Sequence, residues 1–160
     1  MKEMKTLQVD RKTSTAHRLY HYEGVCANVH GHNLDWEVTL RLREPEPPSN
    51  MTVDFKVVSD LIDLSDHALL LNKEDPLCED RHDWSWLDGG QDFDTIGWTK
   101  YKTPVLGEVV MFDGDPTCEV LADWLAELLV TRIDSAFAAS VDLAETEKYN
   151  LLQGEYRESY

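Results

Sequence analysis

Residues 34–43, Leu-Asp-Trp-Glu-Val-Thr-Leu-Arg-Leu-Arg, alternate apolar and polar side chains without a break. Leu34, Trp36, Val38, Leu40 and Leu42 share one face, and Asp35, Glu37, Thr39, Arg41 and Arg43 share the other. A period of two with one apolar face predicts a half-buried strand of an antiparallel sheet. The prolines of Glu44-Pro-Glu-Pro-Pro-Ser-Asn50 then end it, because proline has no N–H to give to a ladder.

Moving outward, Asp54 is placed to cap a helix that carries Phe55, Val58, Leu61 and Ile62 at helical spacing. A second helix has Asp115 as the expected cap, Pro116 in the first turn, and one apolar stripe of Val120, Leu121, Trp124, Leu125, Leu128 and Leu129. Ala139, Val141, Leu143 and Glu145 then fall on one face of a strand, and Leu7 to Thr13 give a weaker strand pattern. Strands, two helices and strands in that order predict an α+β fold with the helices on one face of an antiparallel sheet. Residues 73–112 fit this scheme poorly. They hold three of the five tryptophans (Trp84, Trp86, Trp98) and a Gly89-Gly90 pair, which predicts an ordered excursion, a lid or a subunit contact.

At 160 residues the chain is long enough for one domain with a real core. Its formal charge of -16 argues against nucleic acid and against an anionic membrane surface, and favours solubility or high-salt adaptation as the meaning of the acidity. No apolar run is long enough to span a bilayer. Met1–Lys5 carries charges of both signs with no apolar stretch behind it, unlike a signal peptide. Three scattered cysteines (Cys26, Cys78, Cys118) give no disulfide framework, so a reducing cytoplasm is the expected location.

Just before the alternating strand stands Cys26-Ala-Asn-Val-His-Gly-His-Asn33. If the strand runs back through it, His30 and His32 lie on the face of Trp36 and can reach one metal. His17 ends the preceding strand candidate, and antiparallel pairing would bring it to the same place. Three imidazoles suit zinc (Zn2+) with an open, catalytic position, whereas Cys26 as fourth ligand would make a closed structural site. Spacing alone leaves both open. Asp66-His67 is either a helix-end pair or an oriented proton shuttle for a nearby thiol. Glu145 ends a strand on its apolar face, where a carboxylate needs a partner. That partner is ordinarily Arg or Lys; the alternative is a ligand with several N–H donors, such as the edge of a guanidine-like heterocycle.

Taken together, these residues resemble the 6-pyruvoyl-tetrahydropterin synthase and 6-carboxytetrahydropterin synthase family. The matching pieces are Ala16-His17-Arg18-Leu19, Cys26 to Asn33, Val53-Asp54-Phe55, Asp66-His67 with Leu71-Asn72, Asp115-Pro116-Thr117 and Glu145-Thr146, in the family's order. The resemblance implies the tunnelling fold (T-fold): a four-stranded antiparallel sheet with two helices on one side, closed into a barrel by trimers that stack as a homohexamer. It implies zinc on His17, His30 and His32, Cys26 as catalytic thiol aided by Asp66 and His67, and Glu145 with Thr117 binding the pterin, all meeting at subunit interfaces. The three residues between Cys26 and His30 are similar to the carboxy-forming branch. That branch converts 7,8-dihydroneopterin triphosphate to 6-carboxytetrahydropterin, acetaldehyde and triphosphate, for queuosine-type nucleosides. The presence of Cys26 disfavours the side-chain-cleaving aldolase branch, although Glu23 could serve as a base there. The rival functions are those of a pyruvoyl-forming enzyme and of a noncatalytic pterin- or zinc-binding homologue. The chain departs from the family pattern at Thr13, at Ser65 and at Asp115, where asparagine is frequent, and by the insertion at about 73–112. Arg18 is a candidate cation for the triphosphate.

Overall fold

The alternating stretch forms the body of β2 (His30–Leu42), which begins at His30, so the strand does run back through the histidine pair. Its partner β1 (Lys5–His17) lies antiparallel to it, with Lys5 opposite Leu42 and His17 opposite His30. The computed structural model describes residues 4–90, 94, 96–145 and 151–158. After β2 come α1 (Phe55–Ile62), β3 (Ala68–Asn72), β4 (Ser85–Gly89), β5 (Trp98–Thr103), β6 (Gly107–Phe112), α2 (Cys118–Arg132), β7 (Ala136–Glu145) and β8 (Leu151–Arg157).

These strands form one sheet in the order β4-β5-β6-β3-β1-β2-β7-β8. Among the described residues the α+β class with two α-helices agrees with the expectation, but the sheet has eight strands rather than four and is not wholly antiparallel. The antiparallel set β1-β2-β7-β8 corresponds to the four expected strands. The other four arise because β3 pairs parallel to both β1 and β6, and residues 73–112 supply β4, β5 and β6. The chain leaves β2 at the end where β1 starts and rises through α1. It therefore enters β3 beside Thr15–His17, already running in the direction of β1. Leu70 of β3 faces the main core, while Leu71 faces a smaller one with Cys78, Val109 and Met111. A strand buried on both faces carries no alternation to read.

The main core lies between the helices and the face of Leu34, Trp36, Val38, Leu40, Leu42, Val141 and Leu143. α2 is buried over most of its circumference, including Ala122, Ala126 and Val130 outside the expected stripe. The insertion is the reason on one side: Trp98 of β5 and Phe112 of β6 meet Trp124 edge-on, with centroids 5.6 and 5.3 Å away. The excursion is thus an extension of the sheet; Trp84 packs on Tyr101 over the smaller core, and Trp86 on edge strand β4 is 61% exposed. Among the described residues no helix is long and apolar enough to cross a membrane.

Close approach of β8 to α2 depends on Gly154, where an added Cβ would stand 2.8 Å from the Ala122 backbone and 2.9 Å from its Cβ. Neither contact can give without separating strand from helix. Gly154→Ala is therefore expected to lower the unfolding free energy by about 1–3 kcal/mol, measured by urea denaturation. An unchanged midpoint would mean that β8 and α2 separate at no cost.

Candidate active site

His17 closes β1 and His30 opens β2 directly opposite it, while His32 faces Thr15 one row further on. All three imidazoles project on the side of Trp36, since positions two apart in a strand share a face. Their ring centroids lie 4.5, 4.9 and 5.0 Å apart, and their ligand atoms all fall within 4.8 Å of one another. The antiparallel pairing expected from the sequence brings this cluster together.

Backbone carbonyls fix two of the rings. His17 Nδ1 lies 2.8 Å from the Pro116 oxygen, and His30 Nδ1 lies 2.6 Å from the Asn28 oxygen. A carbonyl can only accept, so each Nδ1 carries the proton and each Nε2 keeps its lone pair for a metal. Burial, with the charges of His30 and His32, pushes the His17 imidazole below its ordinary range. The Pro116 carbonyl and Glu145 oppose this, and the net effect favours the neutral, ligating form. Three converging nitrogens, two of them on rings with fixed tautomers, fit a zinc-type ion with a fourth position left over.

Glu145, at the end of β7 and paired in register with Leu34, points into the same region. Its Oε2 is 3.6 Å from His32 Nε2 and its Oε1 is 4.0 Å from His17 Nε2. The Cys118 thiol donates to Oε1 at 3.1 Å. No Lys or Arg pairs with this carboxylate among the described residues, so the ordinary solution expected from the sequence is not the one adopted. Burial and the Glu145 carboxylate push the Cys118 thiol well up, which keeps it protonated as a donor.

Cys26 sits in a single 3-10 turn, Val25–Ala27, and is half-buried. Its carbonyl accepts from Leu19 N–H at 2.9 Å, tying the turn to the residues that follow His17. Its thiol lies outside the group formed by the three imidazoles.

The Asp66-His67 couple forms, with His67 Nδ1 2.9 Å from Asp66 Oδ2. Ser14 N–H donates to Asp66 Oδ1 at 2.9 Å, and His67 N–H donates to the Ser14 carbonyl at 2.7 Å. Burial would raise the Asp66 carboxyl, but Ser14 N–H and His67 outweigh it and hold it below its ordinary value. His67 adopts a φ of 53°, in the left-handed region that costs a non-glycine residue energy. Its side chain is 80% exposed and makes no contact with the imidazole cluster or Cys26 among the described residues. The couple is thus built and presented at the surface beside β1, apart from the cluster of its own chain.

Two of the departures from the family pattern, Thr13 and Ser65, meet in the interior. Trp36 Nε1–H donates to Thr13 Oγ1 at 2.9 Å, Thr13 Oγ1 lies 3.4 Å from Ser65 Oγ, and Ser65 Oγ donates to the Ile62 carbonyl at 3.1 Å. This buried chain links the strand bearing the histidines to the turn that presents Asp66 and His67.

Thr117, and not Asp115, caps α2: its Oγ1 accepts from Val120 N–H at 3.2 Å. Asp115 instead accepts from Asn72 Nδ2 and from His21 N–H, each at 2.9 Å, and so joins the end of β3 to the loop between His17 and Cys26. Pro116 precedes the helix rather than lying in its first turn, and its carbonyl accepts from His17. Arg18 is no free cation for a triphosphate. Its Nε and Nη2 donate to the buried Asp75 at 2.5 and 3.0 Å. Thr146 lies outside the described residues.

Sequence reasoning missed the carbonyls of Pro116 and Asn28 and the thiol of Cys118. A carbonyl has no residue signature, so only the neighbouring Asp115-Pro116-Thr117 motif could have hinted at the first. Cys118 is the next residue after that motif.

An α+β sheet gathers three histidines at a strand pair, with a carboxylate beside them, and this group could hold a metal ion. The sequence model of the family described as 6-pyruvoyl tetrahydropterin synthase matches residues 6–152, and the chain belongs to that family. A relative from Halobacterium salinarum, named a probable 6-carboxy-5,6,7,8-tetrahydropterin synthase, is 29% identical over 147 residues, covering 89% of this chain and 84% of the relative. Among solved structures, an uncharacterised protein from Wolinella succinogenes aligns with a TM-score of 0.66 at 21% identity, over 99% of this chain and 100% of the other. The 6-pyruvoyl tetrahydropterin synthase of Plasmodium vivax aligns at 0.57 with 14% identity, over 98% and 99% of the two chains. That of Caenorhabditis elegans aligns at 0.52 with 22% identity, over 98% and 97%. At these identities the structural likeness shows the fold.

Proposed function

We propose that the chain is a zinc-dependent 6-carboxytetrahydropterin synthase. It would convert 7,8-dihydroneopterin triphosphate to 6-carboxytetrahydropterin, acetaldehyde and triphosphate, on the deazaguanine route to queuosine-type nucleosides. The observation that carries this reading is the convergence of His17, His30 and His32 with Cys26 left outside the group. The family match, the three-residue gap before His30 and the name of the Halobacterium relative support it.

Zinc held by His17, His30 and His32 would bind the side-chain hydroxyls and acidify the adjoining C–H bonds. Cys26, as thiolate, removes a side-chain proton. His67 carries protons to and from the reacting side chain, and Asp66 fixes its ring. Glu145 and Thr117 hold the pterin. His67 faces solvent in its own chain, so a complete site calls for a second protomer. Open strand edges support such an assembly. β1 pairs with β3 only over Thr15–His17, leaving Lys5–Ser14 without a strand partner on that side among the described residues, and β8 is the sheet's last strand. Pairing of these edges between copies would close the trimeric barrel, and two trimers would make the hexamer.

Incubation of zinc-loaded protein with 7,8-dihydroneopterin triphosphate tests the proposal. The expected products are 6-carboxytetrahydropterin and acetaldehyde. The pyruvoyl product would assign the other synthase activity, a cleaved pterin without triphosphate release would assign aldolase chemistry, and pterin bound without turnover would make the chain a binding homologue.

A further inference from the structure

Glu145 stands beside the histidine cluster before any pterin is present. Its neighbours among the described residues are two imidazoles and the Cys118 thiol, no Lys or Arg among them pairs with it, and the side chain is 27% exposed. Its oxygens lie 3.6 and 4.0 Å from His32 Nε2 and His17 Nε2, and Nε2 is the nitrogen that the Pro116 carbonyl leaves free on His17. Donor atoms on a tetrahedral zinc with bonds of about 2.0–2.1 Å stand about 3.3 Å apart. The carboxylate is therefore already close to the spacing of a neighbouring donor, on the His17–His32 side of the cluster.

We infer that Glu145 is a fourth protein donor to the metal in the substrate-free enzyme, and that the Cys118 thiol is the positioning group that holds its carboxylate there. Cys118 donates to one carboxylate oxygen from the first residue of α2, the same helix start that offers the Pro116 carbonyl to His17. The start of α2 thus orients two of the four donors. Substrate oxygens entering the site release Glu145, and the freed carboxylate becomes available to the N–H edge of the pterin. The inference rests on the metal reading of the three histidines and is independent of which pterin is made.

The test uses full-length protein without substrate, with zinc affinity measured by competition against a chromophoric chelator and with the visible spectrum of the cobalt-substituted protein. Glu145→Gln keeps the size of the side chain and is expected to weaken zinc by about 10–100-fold and to change the cobalt bands. Cys118→Ala is expected to give a smaller loss, up to about 10-fold, and Cys118→Ser to restore wild-type affinity by replacing the donor. Equal zinc affinity and an unchanged cobalt spectrum in Glu145→Gln would overturn the role of Glu145, whatever its turnover. Equal affinity in Cys118→Ala would overturn the role of Cys118. Failure of the wild-type protein to bind zinc would instead remove the metal reading itself, and this inference with it.

Discussion

His32→Ala is expected to strip the protein of zinc and to reduce turnover of dihydroneopterin triphosphate by on the order of 10³-fold or more, since several kcal/mol of transition-state stabilisation is lost at about 1.4 kcal/mol per tenfold. The three imidazoles form the site together, and their ligand atoms lie within 4.8 Å of one another. Removing His32 takes away one of the three converging nitrogens, and the two that remain hold such an ion far more weakly. The fold should survive the change. His32 lies near the end of β2, beyond the buried row of Leu34 to Leu42, so its loss opens no cavity in the main core. Metal content after dialysis, unfolding midpoint and product formation measured on one preparation separate the effects. Retention of one zinc per chain with full turnover would place the metal, and the reaction, elsewhere.

The second large effect is expected at Cys26. Cys26→Ala should keep zinc at wild-type affinity and lower kcat by about 10²–10⁴-fold, the range for losing a positioned proton acceptor. The reason is geometric. The Val25–Ala27 turn is anchored through its backbone to Leu19, and the thiol stands outside the imidazole group. Its removal therefore changes the proton path and leaves the metal donors intact. Loss of zinc together with activity would show the thiol to be a ligand, and the closed four-ligand site would return. A wild-type rate would pass the base to another group, for which the exposed Glu23 is the sequence's candidate.

Much of the candidate site is legible in the sequence because its geometry is local. A period of two assigns His30, His32, Leu34 and Trp36 to one face of β2 without reference to anything else in the chain. One antiparallel partner then brings in His17. Ser65 and Thr13, each a departure from the family pattern, become intelligible only as a pair, since they lie 3.4 Å apart across 52 positions. The cap of α2 is ambiguous in the sequence because Asp115 and Thr117 are both good capping residues. The choice falls to Thr117 once Asp115 is engaged by Asn72 and by the backbone of His21.

By itself, then, the sequence determined the α+β class, the apolar face of β2, the three histidines at one place and the family to which such an ordered set belongs. The class and the apolar face follow from periodicities that each segment carries within itself, the histidine cluster from one antiparallel pairing, and the family from the resemblance of the ordered motifs. Only the tertiary structure decided that the sheet has eight strands, that Arg18 is held by Asp75, that His67 turns outward, and that Glu145 faces imidazoles and a thiol. Each of these depends on which distant segment supplies the neighbour, as β3 does for β1 and α2 for β7. Side-chain alternation says which way a residue points, whereas the identity of what it meets is set by packing between segments far apart in the chain.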